Sequence, residues 1–271
     1  MLRRATTASR PADSVSWLDA AMELGIDGRV ALVCAASQGI GRAIAAELAV
    51  EGCRVAIASR SRERIDAAAA EIGATGFVWD TSDVDGAPAL VDEVETAMGG
   101  PVEILVCNTG GPPPGRDPLG FDEATWRRAY DDLVLAPMAI VRRCLPSMRE
   151  RGWGRIVNVA STSVREPLPA LMLSNTHRAA TLAAWKTLAR EIARDGITIN
   201  SVLPGRIGTQ RLAENYGSLE AAERHAETEV PAGRLGTVEE MAAAAAFLCS
   251  ARAGYITGVA LLVDGGLTRS I

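Results

Sequence analysis

The sequence predicts a single α/β domain, a doubly wound parallel sheet of about seven strands with helices on both faces. Three observations predict it. Short apolar runs alternate with segments of helix length from residue 30 to residue 263. The runs are continuously apolar, as strands covered on both faces are, instead of alternating apolar with polar. The first run, 30–34, passes at once into a loop of small residues and a helix start, Ala35-Ala36-Ser37-Gln38-Gly39-Ile40-Gly41.

In chain order, residues 1–23 are read as a flexible extension ahead of a domain at 24–271. The first twelve residues are polar and basic with no acidic residue, and no apolar signal-peptide core follows them. Trp17, Leu18, Ala21 and Met22 have helical spacing, which predicts a short helix before Gly25. Strand 30–34 leads into a helix through residue 50, with Ile44 and Leu48 one turn apart on its buried face. A strand at 55–58 and an Ala-rich helix at 62–72 follow. Next come a strand at 77–79, a helix at 87–98 and a strand at 102–107. A Gly/Pro-rich loop at 109–118 precedes a long helical region through residue 151. Strand 156–159, helix 177–194 and strands 197–202 and 259–263 complete the series. Strands joined through helices imply right-handed βαβ units. The chain shows no internal repeat and needs no second domain.

Composition narrows the function. A chain of 271 residues with 48% hydrophobic residues suits one large domain. Net charge is −5 and no long basic run occurs, so nucleic acid and anionic membranes are poor partners. No apolar stretch reaches membrane-spanning length. The five cysteines lack paired or metal-like spacing, and Cys34 and Cys107 read as small buried hydrophobes; no metal site is predicted. These features predict a reducing, cytoplasmic setting.

The loop after the first strand is the best functional signal. Gly39 and Gly41 carry no Cβ, so the chain can turn sharply and let a ligand reach the backbone. The helix start beyond them turns N–H groups toward a phosphate. Alone this is a weak signal, because glycine-rich helix starts also serve packing and the strict dinucleotide fingerprint is absent. The second strand strengthens it, ending in Ser59-Arg60 about twenty residues on. An acidic residue at that tip would hold a ribose 2′-hydroxyl, whereas Arg60 suits a 2′-phosphate. The predicted cofactor is NADP in preference to NAD. The plainer reading makes Arg60 one solvated arginine of the group Arg60, Arg62 and Arg64.

These residues give the chain a resemblance to the short-chain dehydrogenase/reductase family, in particular to its 3-oxoacyl-(acyl carrier protein) reductase-like members. It runs from about residue 28 to 266. The 35–41 loop resembles the family's Thr-Gly-x-x-x-Gly-x-Gly turn, with Cys34-Ala35 where Thr-Gly is usual. The resemblance implies that Asp80, with Thr81 beside it, meets the adenine. Cys107-Asn108-Thr109-Gly110 resembles Asn-Asn-Ala-Gly and keeps Asn108 and Gly110. Pro204-Gly205-Arg206-Ile207-Gly208-Thr209 resembles the Pro-Gly-x-x-x-Thr segment beside the nicotinamide, which assigns Pro204, Gly205, Ile207 and Thr209 to the cofactor. Tyr255-Ile256-Thr257-Gly258 and Val263-Asp264-Gly265-Gly266 resemble the C-terminal signature. The family fold implies a Rossmann-type sheet, and family members pair through two long helices, here 121–149 and 177–194, implying a homo-oligomer, a tetramer or a dimer. Residues 1–21 precede the family's usual start.

The family moves a hydride between nicotinamide and a carbonyl or alcohol carbon, using a serine, a tyrosine, a lysine and a relay asparagine. The resemblance places Ser161 at the serine position. Ser174 stands at the tyrosine position and Arg178 at the lysine position, and counting from Trp126 puts Leu133 at the asparagine. The only tyrosines are Tyr130, Tyr216 and Tyr255. A serine alcohol is a much weaker acid than a phenol, which titrates near pH 10. Arg178 presents a fixed charge and binds ribose or carboxylate without shuttling a proton. Losing a positioned acid costs roughly 10²–10⁴-fold in rate. His177 and a water held by Ser161, Ser174 and Asn175 are alternative donors, although adjacent helix positions point about 100° apart and His177 reads as a half-exposed helix histidine. Asn108 and Asn158 read as backbone-bridging residues. The segment 210–231 is either a substrate lid or a solvated helix pair.

Three readings stay open. The first is an NADP(H)-dependent oxidoreductase acting on a small carbonyl or hydroxy compound. The second is a nucleotide-binding protein without turnover. The third is a non-redox lyase or isomerase in which Arg178 steadies an anion.

Overall fold

The computed structural model describes residues 23–271. The predicted extension and its short helix lie outside these residues. Seven parallel strands form one sheet in the order β3-β2-β1-β4-β5-β6-β7. They are β1 (Val30–Cys34), β2 (Arg54–Ser59), β3 (Thr75–Val78), β4 (Ile104–Cys107), β5 (Gly154–Val159), β6 (Ile197–Pro204) and β7 (Ala260–Val263). Among the described residues the α-helices are α1 (Gly39–Val50), α2 (Arg62–Ile72), α3 (Ala87–Met98), α4 (Glu123–Tyr130), α5 (Ala136–Arg151), α6 (Met172–Ile192), α7 (Gln210–Tyr216), α8 (Leu219–Glu229) and α9 (Val238–Cys249).

The uninterrupted apolar strands serve two cores. Ala31 and Val33 of β1 face a cluster with Ile44 and Leu48 of α1, Ile65 of α2 and Met241 of α9. Val30, Leu32 and Cys34 face the opposite cluster with Leu90 of α3, Ile140 and Met148 of α5 and Trp185 of α6. A period of two in side-chain direction therefore demands apolar residues at every position of a central strand.

Two predicted helices differ in the structure, and a third helix was not predicted. The long helix expected at 121–149 is broken by a π-helical turn, Asp131–Leu135, between α4 and α5. A π turn shifts the hydrogen-bond ladder by one residue without changing the apolar pattern enough for periodicity to reveal it. The helix expected to start at His177 starts at Met172, because a 3₁₀ turn at Pro169–Leu171 feeds directly into it. Helix α9 was not foreseen. Its Met241-Ala-Ala-Ala-Ala-Ala-Phe-Leu-Cys run has no polar stripe, and Met241, Ala242, Ala245, Ala246, Leu248 and Cys249 are all buried. Its start did carry a signal, the reciprocal capping box between Thr237 and Glu240.

The chain order reverses at β1, which lies between β2 and β4. In a doubly wound sheet the crevice for a ligand opens at that reversal, beyond the carboxyl ends of the strands. The loops after β1 and β4 flank it. Among the described residues, no helix is long and apolar enough to cross a membrane.

Candidate functional site

The β1–α1 loop forms a cradle. Gln38 is the N-cap of α1, yet it makes no side-chain cap, and the first turn carries no acidic residue. The leading N–H groups of α1 are thus left for an outside acceptor. Gly41 is buried, and a Cβ there would lie 2.6 Å from the Ala35 carbonyl oxygen and 2.6 Å from Asn108 Nδ2. Gly39 adopts φ +59°, a glycine conformation, with the Thr209 methyl facing it. Asn108 Nδ2 donates to the Ala35 carbonyl at 3.1 Å, so it ties the loops after β1 and β4 together, as expected of a bridging residue. Ser37 is half-buried and Gln38 exposed. Ile40 is half-buried, with its side chain packed against the core.

Ala35 occupies the left-handed region with φ 47°, the one non-glycine residue with positive φ among those described. A Cβ in that conformation costs about 1 kcal/mol or more. Ala35→Gly is expected to raise Tm by about 2–4 °C, read by calorimetry. An unchanged or lower Tm would show that Ala35 is not strained.

The rim beside β2 and β3 gathers Ser59, Arg60 and Asp80. Ser59 is buried and its hydroxyl has no hydrogen-bond partner. Arg60 is exposed at the strand tip and forms no ion pair among the described residues. Asp80 accepts from the Ser82 N–H at 2.9 Å. Burial opposes its charge, but hydrogen bonds from Ser82 and the nearby Arg60 and Arg128 outweigh that and hold its carboxyl below the usual range. The Thr81 hydroxyl donates to Asp132 at 2.8 Å, tying the β3 loop to the π turn.

On the other side, Gly205 lies so close to Asp264 that a Cβ would come within 2.6 Å of the Asp264 Cβ. Pro204 ends β6 and is half-buried. Ile207 has its side chain buried in the core, and its backbone bridges to Gly236. Thr209 spends its hydroxyl accepting from the Leu212 N–H and so caps α7. Gly110 is exposed with open space where a Cβ would stand, so no steric need for glycine exists there.

Arg178 of α6 is anchored at the carboxyl end of β5, which Ser161 follows in the chain. Ser161 Oγ accepts from the Ser163 N–H at 3.1 Å, leaving its proton free to donate. Ser174 lies one turn before Arg178 on α6. Arg178 Nη1 donates to the Val159 carbonyl at 2.7 Å, two residues before Ser161. Burial, followed by repulsion from Arg211, pulls the Arg178 pKa down to about 10, so it stays charged at neutral pH. Asn158 does not bridge backbone as expected: its amide donates to Ser201 Oγ at 3.4 Å, because both side chains are buried between β5 and β6.

Leu133 lies in the π turn and is buried, and its carbonyl accepts from Thr181 Oγ1 at 2.6 Å. His177 is not the half-exposed residue expected. It is 7% exposed, packed edge-on to Trp126 at 5.4 Å and tilted against Tyr130 at 5.9 Å. Helix α4 covers this face of α6, which sequence spacing does not report. Tyr216 packs on His225 in the 210–229 helix pair, and Tyr255 is fully exposed.

Burial lowers the His177 pKa from the ordinary 6.5, and its Nε2 has no partner. The unfolded chain therefore takes up a proton that the folded state resists. The resulting destabilisation is absent above pH 6.5 and grows as pH falls below it. His177→Phe is expected to lessen the loss of Tm between about pH 7 and pH 5, measured by thermal melts. An equal loss in both proteins would refute this.

Sequence reasoning missed Arg211. It sits near the start of α7, its guanidinium lies against Gly111, and Nη2 donates to the Pro112 carbonyl at 2.7 Å. The signal was present, an arginine two residues past the Thr209 cap, but its reach across to the β4 loop is a matter of tertiary structure. This contact ties α7 to the loop after β4.

Comparison with known proteins agrees with the geometry. A family profile described as enoyl-(acyl carrier protein) reductase matches residues 34–268. The chain is 34% identical over 250 residues to nodulation protein G of Azospirillum brasilense, covering 88% of this chain and 98% of that protein. It is 33% identical over 249 residues to the 3-oxoacyl-[acyl-carrier-protein] reductase FabG of Haemophilus influenzae, covering 90% and 100%. It superposes with a TM-score of 0.84 and 32% identity on L-sorbose reductase from Gluconobacter frateurii, solved with NADPH and L-sorbose, covering 92% and 100%. A parallel seven-stranded sheet, a glycine cradle at its reversal point and relatives matched over nearly their whole length place this chain in the short-chain dehydrogenase/reductase family.

Proposed function

We propose that this chain is an NADP(H)-dependent oxidoreductase acting on a small carbonyl or hydroxy compound, with a catalytic site that lacks the family's tyrosine and lysine. The observation that carries the reading is one of topology. The uncapped start of α1, with Gly39 and Gly41, follows the carboxyl end of β1, and Arg178 is anchored at the carboxyl end of β5, two strands away in the same parallel sheet. The cradle fits a dinucleotide: its pyrophosphate would take the free N–H groups of α1 and its adenine would lie near Asp80. Arg60, free at the β2 tip, and the NADPH bound in L-sorbose reductase favour NADP over NAD.

Bound NADPH would supply hydride. The chain's own residues must then handle the oxygen. The free Ser161 proton can hydrogen-bond the substrate oxygen and orient it. Arg178 adds positive charge near the developing alkoxide but keeps its own proton. Ser174, or a water beside it, stands where the proton must come from. The domain begins near residue 24 in this reading, and the pairing helices of the family correspond here to α4–α5 and α6.

A second reading, nucleotide binding without turnover, is favoured by one observation. Leu133, at the relay asparagine's position, has an apolar, buried side chain that can carry no proton, and its carbonyl accepts from Thr181. Fluorescence titration with NADPH and NADH, followed by a carbonyl panel, tests both readings. The oxidoreductase reading expects tighter NADPH binding, turnover of at least one ketone and loss of that turnover in Ser161→Ala. Binding without turnover supports the second reading, and no binding of either cofactor defeats both.

A further inference from the structure

We propose that Glu166 is a positioning residue for the Ser161 hydroxyl, set in place by the segment that follows β7. The inference deepens the oxidoreductase reading and rests on it for the kinetic effect, though not for the tie itself. Glu166 lies in the stretch that joins Ser161 to Ser174. Its Oε1 accepts from two consecutive backbone N–H groups, Arg269 at 2.6 Å and Ser270 at 2.7 Å. Those donors are 103 and 104 positions away along the chain. A built turn delivers them. Gly265 and Gly266 adopt φ +63° and +84°, and the Asp264 carboxylate accepts from the Gly266 N–H at 3.0 Å and the Thr268 N–H at 2.9 Å. Asp264 itself lies against Gly205, and the Gly205 N–H donates to the Val263 carbonyl at 3.0 Å. The segment 264–270 therefore crosses from Gly205, just after β6, to Glu166, beyond β5.

From Glu166 the tie passes back to Ser161 through one short turn. The Glu166 and Arg165 N–H groups donate to the Thr162 carbonyl at 3.2 and 2.9 Å, and the Val164 N–H donates to the Ser161 carbonyl at 3.2 Å. Inside this turn the Ser163 N–H donates to Ser161 Oγ at 3.1 Å, so the turn that Glu166 closes also orients the Ser161 hydroxyl. On the far side Pro167 and Pro169 fix φ and lack an N–H. A shift at Glu166 is carried along the stretch instead of being absorbed by the next residue. Its far half is fastened elsewhere, by Asn175 Nδ2 donating to the Leu168 carbonyl at 2.8 Å and the Gly115 N–H donating to the Ala170 carbonyl at 3.0 Å. Glu166 holds the half next to Ser161. Bonds from N–H groups to a carboxylate are the stronger kind, yet Arg269 and Ser270 are exposed, so the consequence of this tie is local placement more than global stability. Misplacing an orienting group by about 1 Å can cost up to roughly 10²-fold in rate.

The test compares Glu166→Ala, Glu166→Gln and a chain ended after Thr268 with wild type, using NADPH and the ketone turned over best in the carbonyl panel. Glu166→Ala and the shortened chain are expected to lose about tenfold in kcat with KM and NADPH affinity unchanged, because a hydroxyl that orients the reacting oxygen acts mainly in the transition state. Glu166→Gln keeps an oxygen that can accept from both N–H groups and is expected to recover most of that loss. Wild-type kcat in Glu166→Ala or in the shortened chain would overturn the inference. So would an equal loss in Glu166→Gln, or a rise in KM with kcat unchanged. Hydrogen exchange on the free protein gives a second readout that needs no turnover. The amides of 163–166 are expected to exchange about tenfold or more faster in Glu166→Ala, and near the wild-type rate in Glu166→Gln. Unchanged exchange in Glu166→Ala would overturn the tie. If no ketone is turned over, the oxidoreductase reading fails, while faster exchange in Glu166→Ala still upholds the placement of the Ser161 turn by Glu166.

Discussion

Ser174→Tyr combined with Arg178→Lys is expected to raise ketone reduction with NADPH by about 10²–10⁴-fold over the native chain. The physical ground is proton supply. Hydride addition leaves an alkoxide, and a serine alcohol is too weak an acid to quench it efficiently at neutral pH. A phenol titrates near pH 10, and a neighbouring ammonium lowers that value further. Arg178 cannot replace lysine in this task, because its charge is fixed and one N–H is committed to the Val159 carbonyl. Ser174 is 8% exposed, so the phenol ring must displace neighbours at the start of α6; thermal melts establish that the double variant is folded before rates are compared. A folded double variant that is no faster than wild type would refute the view that these two positions limit the chemistry.

Gly41→Ala is expected to abolish measurable NADPH binding and to lower stability by about 1–3 kcal/mol. The added Cβ would meet the Ala35 carbonyl and the Asn108 amide at 2.6 Å and the Ala36 Cα at 3.1 Å. Two of these three atoms are backbone, which cannot swing aside. Relief requires the loop to move and the Asn108–Ala35 hydrogen bond to break, and both shape the cradle. Equilibrium denaturation and a fluorescence titration read the two effects separately. Wild-type affinity in this variant would show that the cradle does not seat the cofactor. Gly110→Ala provides the contrast: open space surrounds that position, so it should change stability little.

Much of this was legible before any coordinates. Local periodicity is a property of neighbouring residues, and it located β1 and α2 at the residues where the structure has them. Continuous apolar runs announced strands with two covered faces, which the two core clusters explain. The glycine loop was readable because Gly39 and Gly41 answer to steric constraints a few residues long. Ser161, Ser174 and Arg178 could be placed by resemblance. Helix α9 escaped notice because an all-apolar helix has no stripe to see, although Thr237 and Glu240 marked its start.

What the chain order could not say concerns groups brought together from distant positions. His177 carries no mark of burial in its own neighbours, and the packing of α4 against α6 encloses it between Trp126 and Tyr130. The π turn at Asp131–Leu135 is a one-residue change of ladder, invisible to a pattern with a period near 3.6. Thr81 and Ile207 look like site residues by position, but their side chains are engaged elsewhere, one with Asp132 and one in the core. Arg211 reaches a carbonyl 99 positions away. Sheet, loops and the glycine turn after β1 follow from short-range pattern and sterics. The electrostatics of the crevice follow from folding alone, because charge interactions depend on distance in space and not on separation along the chain.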